Sequence, residues 1–524
     1  MMQSMLRLRR SGDSRNADLA LSRSAALLLK NEPQISRKPE VCAPKHSAVL
    51  AVAFLLLIPF VAARPSFAQD ASENGQQSPA EVLGHGQPVQ LEGELEIIHQ
   101  DLEDGRGRDL YSLKQLDGTR VPLQFVKEPP THLLTGDHVR VSGQPSGSGL
   151  LLYSGSTNVR KTKGSGTTST SSCSADSGST CSTITSIPVP NTFGAQKTLV
   201  ILVNFQDDAI QPFTVASVQN TFFGTGNTLN SFISENSYGQ TSITGAVVGW
   251  YTIPDSVTTC SNTQIATDAN NAATAAGANL SNYTRLVYVY PNDTSCGFAG
   301  ASTVGGNPSE SWINGTLDIH VINHELGHAF GLWHSHLLDC GANATICSNG
   351  TLVEYGDLVD TMGVPQTASA DFNAYQKERL GWLNYGASPS IQTVTTSGTY
   401  TIAPYGLGGS GPKALKVLKS TDPTTGAKTW YYLEARQAGG FDAFLTNPFY
   451  YTQNETAGAL FHIGTDGNGN SGDLLDMTPA TPTTSGWWDM SLAVGQSYGD
   501  STAGVTITTT AVSSTGATVV ITKN

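Results

Sequence analysis

The sequence predicts an α+β fold, with a mixed sheet and one chemistry-bearing helix at its centre and an all-β segment on either side. Three observations predict it. The run Lys197 to Phe205, KTLVILVNF, has the length and the continuous apolar content of a buried strand. A helix-period segment around His324 follows two further strand-like runs, ITGAVVGWYTI and TRLVYVYP. From about residue 389 to the C-terminus, β-branched residues alternate with turns. At 524 residues the chain exceeds one ordinary core, and 14% charged residues with 54 glycines favour sheet and turn over helical bundles.

In chain order, residues 1–68 read as a leader. Lys38 and Lys45 precede the apolar run SAVLAVAFLLLIPFVAA, and the small residues Ser66 and Ala68 follow it. Export with cleavage near Ala68 is therefore expected, a single membrane anchor being the other reading of that run. No later segment resembles a membrane span, so stable membrane association is not expected. The leader is basic, which leaves the remainder more acidic than the whole-chain net charge of -13. Without a basic stripe the chain offers no electrostatic footprint for nucleic acid or an anionic membrane, and its acidity reads as solubility.

Residues 69–160 hold short alternating runs, LEGELEIIHQDL, RDLYSLKQL, RVPLQFV and DHVRVSGQ, separated by turns, and are expected to form a small β domain. Residues 161–186 are a Gly/Ser/Thr-rich linker. That arrangement suits a propeptide and equally a permanent accessory module. Residues 187–388 form the α+β domain, with TLNSFISENSYGQ a helix ending near Gly239. Residues 389–524 form a β-sandwich-like domain that either binds substrate or braces the core. Cys42 lies in the leader, and the other six cysteines are an even number. In an exported chain three disulfides are expected, pairing neighbours: Cys173 with Cys181, Cys260 with Cys296, and Cys340 with Cys347.

The chemistry concentrates in HELGHAFGLWH, residues 324–334. On a helix, Ile322, Leu326, Ala329 and Phe330 gather on one face and His324, Glu325 and His328 on the opposite one. Imidazoles one turn apart can reach a single Zn²⁺. Gly331, lacking a Cβ, ends the helix and turns the chain so that His334 returns as third ligand. The fourth position stays open, as in a catalytic site, and Glu325 stands beside it without ligating. At ordinary residue frequencies, five such positions meet by chance in a chain of this length with odds on the order of one in ten thousand. His336 fits no ligand offset, and His320 lies outside the motif.

The pattern H-E-x-x-H-x-x-G-x-x-H followed by DTMG resembles the metzincin clan of zinc endopeptidases. The resemblance implies that Met362 packs beneath the metal as an apolar floor. SENSYGQTSITGAVVGWYTIP, EYGDLVDTMG and FNAYQKERLGWLN are similar to the secreted gametolysin-type peptidases (peptidase M11), over residues 197–385. YYLEARQ and WWDMSLAVGQSYGDSTAGVTITT are similar to regions that follow the catalytic domain in that family. GVPQTASADF, after Met362, lacks the tyrosine that some metzincins use to steady the transition state, which leaves that group unassigned.

The function expected is thus a secreted endopeptidase with one catalytic Zn²⁺ and Glu325 as general base, acting as a monomer on extended polypeptide. The stretch CGFAGASTVGG, residues 296–306, is a candidate edge strand for that substrate. The alternative is a secreted zinc-stabilised protein that binds a surface or glycan without proteolysis. A free Cys173 or Cys181 could cap the metal in a precursor, against the competing reading of a local disulfide. Asp466, Asn468, Asn470 and Asp473 could hold Ca²⁺, although no Glu ends that loop and a Gly/Asn hairpin explains it as well. Trp487 and Trp488 read as a carbohydrate platform or as packing. In the helix after the Met turn, Asp371 is the expected N-cap and Gly381 the end.

Overall fold

Residues 87–162, 188–363, 369–406, 410–446, 454–481 and 489–524 are described by the computed structural model. The leader, the linker with Cys173 and Cys181, and Trp487 with Trp488 lie outside the described residues. The fold is α+β, mostly sheet with few helices.

Alternating runs after residue 87 become β1 (Val89–Leu102), β2 (Gly107–Lys114), β3 (Arg120–Phe125), β4 (His138–Ser146), β5 (Gly149–Leu152) and β6 (Val159–Lys161). Their inward residues, among them Leu95, Ile97, Leu113, Val139 and Leu152, share one core. KTLVILVNF lies in β7 (Gly194–Phe205), where every residue from Thr198 onward is buried. Both faces are covered, which is why the run is apolar throughout. Val200 and Leu202 face a core with α1 (Val215–Phe223) and α2 (Leu229–Asn236). Leu199, Ile201 and Val203 face the other way, and α3 (Asn262–Ala275) closes that side.

β7 pairs in parallel with β8 (Thr241–Ile253) and β9 (Arg285–Tyr290). Next come β10 (Phe298–Thr303) and β11 (Ser309–Asn314), with β11 parallel to β9 and antiparallel to β10. One sheet therefore runs β6-β4-β5-β3-β2-β1-β10-β11-β9-β7-β8. The stretch expected as a free edge for substrate is not free here: β10 is covered by β1 from the same chain.

After α4 (Ile319–Ala329), β12 (Leu337–Asp339) and β13 (Thr351–Val353) leave this sheet and extend a second one. α5 (Ala374–Arg379) follows. Its N-cap is Asn373, whose side chain accepts from the Gln376 N–H, not the expected Asp371. Asp371 is fully buried and faces Lys377 Nζ at 3.3 Å. Gly381 takes φ +76 just beyond the helix, as the end signal requires.

The remaining strands are β14 (Ile391–Val394), β15 (Gly398–Ile402), β16 (Ala414–Thr421), β17 (Lys428–Glu434), β18 (Gly458–Thr465), β19 (Asp473–Leu475), β20 (Leu492–Ala493), β21 (Ser497–Asp500), β22 (Val505–Ser513) and β23 (Gly516–Lys523). The second sheet runs β13-β12-β19-β18-β17-β16-β14, with β20 beside β18. A third runs β15-β23-β22-β21. Leu415, Val417, Leu433 and Phe461 of one sheet and Ile507, Val519 and Ile521 of the other bury a common core. Two of the expected disulfides are formed, Cys260–Cys296 and Cys340–Cys347. Among the described residues no helix is long and apolar enough to cross a membrane.

Candidate metal centre

Asp318 starts α4 by accepting the His320 N–H at 2.8 Å, which satisfies an otherwise orphaned donor. Ile322, Leu326 and Ala329 enter the core under β7. On the opposite face Glu325 reaches the backbone of β10, where a Cβ on Gly300 would collide with its carboxyl group. The helix ends at Phe330, and Gly331 takes φ +102, a conformation that favours glycine. That turn brings His334 back beside His324 and His328. Ring centroids lie 5.0 Å apart for His324 and His328, 5.1 Å for His324 and His334, and 5.0 Å for His328 and His334.

Each ring is fixed through its other nitrogen. His324 Nδ1–H donates to the Thr361 carbonyl at 2.7 Å and His328 Nδ1–H to the Leu332 carbonyl at 2.9 Å. A carbonyl only accepts, so these tautomers leave Nε2 with its lone pair turned inward. His334 Nδ1 is held by Glu354, whose other oxygen lies 3.2 Å from His336 Nε2. Burial alone would raise the Glu354 carboxyl, but the hydrogen bonds with His334 and His336 hold it well below the usual carboxylate range. His336 thus acts on the centre through Glu354. His320 is buried one turn before His324. Met362 is buried beneath the helix, its sulfur standing where a Cβ on Gly327 would go.

Two residues of β1 enter this space. Asp101 Oδ1 lies 2.8 Å from His334 Nε2 and 3.4 Å from His324 Nε2, and Asp101 Oδ2 lies 3.8 Å from His328 Nε2. Tyr355 donates its phenol O–H to Asp101 Oδ1 at 2.5 Å. The Tyr355 backbone is left-handed at φ +55, unusual for a residue with a side chain, and its ring packs on His334. His99 packs its ring 4.5 Å from that of His328 and 4.2 Å from that of His334. Burial would lower the His99 pKa, yet Asp101 and Asp109 raise it to about 10. Burial is also the largest influence on Glu325, and with the negative charge of Asp101 beside it pushes that carboxyl well above its usual range.

Several buried atoms facing this space have no hydrogen-bond partner: Nε2 of His99, His324 and His328, Asp101 Oδ2 and Glu325 Oε2. Orphaned buried polar atoms cost about 1–3 kcal/mol each. A cation resolves that cost at one stroke, and imidazole nitrogens with carboxylate oxygens are a donor set that suits Zn²⁺. His99, Asp101, His328 and His334 bring ligand atoms within 4.8 Å of one another. The candidate Ca²⁺ loop forms no comparable group among the described residues. Asp466 accepts from Trp430 Nε1, Asn468 from Thr131, and Asp473 lies 3.4 Å from His336 Nδ1.

Residues 197–453 match the family model of gametolysin peptidase M11, a span that takes in every ligand candidate on α4 and its turn. That segment belongs to the family. No curated protein matches it. As a gametolysin-family peptidase the chain acts on polypeptide, and the family implies a metal. Glu354 and Tyr355 lie within EYGDLVDTMG, where local spacing assigns neither a role. Asp101 and His99 carried no signal in their own neighbourhood beyond a charged pair at alternate positions of a strand.

Proposed function

We propose that this gametolysin-family peptidase is an exported zinc endopeptidase of metzincin type, with His324, His328 and His334 as metal ligands and Glu325 as general base. The observation that supports it is the triangle of imidazoles, each anchored through Nδ1 so that Nε2 points inward. A zinc ion held there would polarise the scissile carbonyl and lower the pKa of the attacking water. The rest of the chemistry belongs to the chain's own groups. Glu325 takes the water's proton and returns it to the departing amine, a role that its unpartnered Oε2 supports. The Tyr355 phenol is the donor for the carbonyl oxygen as negative charge builds there, the role that the sequence after Met362 left unassigned. Met362 holds the ligand helix from below.

The test compares purified variants on gelatin, with metal content read in parallel. Glu325→Ala retains one zinc per chain and loses cleavage, whereas His324→Ala loses both. Tyr355→Phe keeps the metal and falls about 10²-fold in kcat. A Glu325→Ala enzyme as active as wild type would sink the mechanism.

A further inference from the structure

A cavity of about 590 Å³ opens beside the metal centre, between the end of α2, the start of α4 and the Gly440–Thr446 segment. His320 lines it one helical turn before His324, their ring centroids 6.0 Å apart. Phe441 and Phe444 give it apolar sides, while Ser231, Glu235, Asp318 and Ser369 supply oxygens. No Lys or Arg is among the described residues that line it.

Glu235 is poorly placed for stability alone. It sits in the last turn of α2, where the helix dipole disfavours an anion. Its Oε1 accepts the Phe441 N–H at 2.7 Å, and a Cβ on Gly440 would overlap its carboxyl group. Gly406 separates it from Asp371, since a Cβ there would touch both carboxyl groups. The nearby cations are committed elsewhere, Lys377 to Asp371 and Arg436 to Glu434 and Asp442. Burial, and then the Asp371 and Asp442 carboxylates, push Glu235 up to about 7. The neighbouring unpartnered atoms are acceptors too: Asp371 Oδ1, and Oδ1 of Asn323, whose Nδ2 holds Ser369 at 2.9 Å. Negative potential without a donor calls for a cation, and walls of phenylalanine suit an alkyl stem that carries one.

We propose that the cavity is a subsite for a Lys or Arg side chain of the polypeptide substrate, with Glu235 as the carboxylate that selects it; this rests on the peptidase reading above. The methylenes of that side chain lie against Phe441 and Phe444, and its ammonium or guanidinium donates to Glu235. An acidic side chain would meet like charge there, so the same carboxylate rejects it.

The full chain tests this at pH 8, where Glu235 is mostly ionised, on peptides that differ only in placing Lys, Arg, Met or Glu at each position flanking the scissile bond. At one position Lys and Arg should raise kcat/KM at least about 10-fold over Met. Glu235→Gln, which keeps an acceptor for the Phe441 N–H, should bring that ratio close to unity. A ratio taken within one protein cancels any general loss from misfolding. Butylguanidinium is a probe that needs no turnover: wild type should bind it about 10-fold more tightly than Glu235→Gln in saturation-transfer NMR. Cleavage without a basic preference, abolished by Glu325→Ala, would overturn the subsite and leave the peptidase reading standing. A preference unchanged in Glu235→Gln, or equal binding of the probe by both proteins, would overturn the Glu235 assignment. No cleavage by any protein, with butylguanidinium still held through Glu235, would sink the peptidase reading and keep the cation site.

Discussion

The N-terminal strands join the central sheet through a backbone ladder, β1 on β10, with polar contacts such as Gln100 to Asn262 at 2.7 Å. The C-terminal strands join it through buried ions. Arg436 reaches Glu434 at 2.9 Å and Asp442 at 3.0 Å, with all three side chains fully buried. Glu434 accepts the first N–H of α5, and Arg436 also donates to the Asp371 carbonyl. His462 bonds Asp357, which in turn accepts from Ser335, the neighbour of His334. A strand ladder can be replaced by another strand or by water. Buried charges cannot part without stranding one another. The buried charges of the second join make the C-terminal strands a brace for the third imidazole and the Met turn.

Truncation should break this symmetry most visibly. A chain ending at residue 388 should give no folded protein by circular dichroism, while one starting at residue 188 should remain folded and bind one metal; the reverse result would invert the comparison. Arg436→Met leaves Glu434 and Asp442 buried without their cation and should cost about 3–5 kcal/mol in urea unfolding.

The pH dependence of the same join follows from His462. Burial would lower its pKa, but Glu434 and Asp357 raise it to about 10, against about 6.5 in the unfolded chain. Its stabilisation is complete below about 6.5 and disappears as the pH rises through about 10. Thermal unfolding between pH 6 and pH 10 should show that decline, with a shallower slope in His462→Gln. The smallest effect belongs to the N-terminal side. Thr131→Ala removes a hydrogen bond to Asn468 of 2.8 Å and should lower stability by about 1 kcal/mol, read as a shifted urea midpoint.

The triangle of imidazoles was legible because its geometry is local: one helical turn separates two of them and one glycine turn returns the third. The β7 strand and the helix of TLNSFISENSYGQ were legible for the same reason, as were two neighbouring cysteine pairs. Asp101 was not, because it stands 233 residues from His334 and strand pairing, which no local spacing reports, brings them together. The supposed edge at β10 failed on that same pairing. Asp371 looked like a cap because Asp often is one, but Lys377 and the buried arginine cluster claimed its neighbourhood.

Gly327 occupies the second variable position of H-E-x-x-H, and the Met362 sulfur sits where its Cβ would be. That position is therefore not variable in this chain, since residues 327 and 362 divide a single volume between them. A library randomising both should return complementary sizes, with a larger residue at 327 surviving only beside a shorter one at 362, so the two sites would read as a coupled pair in any selection for metal binding.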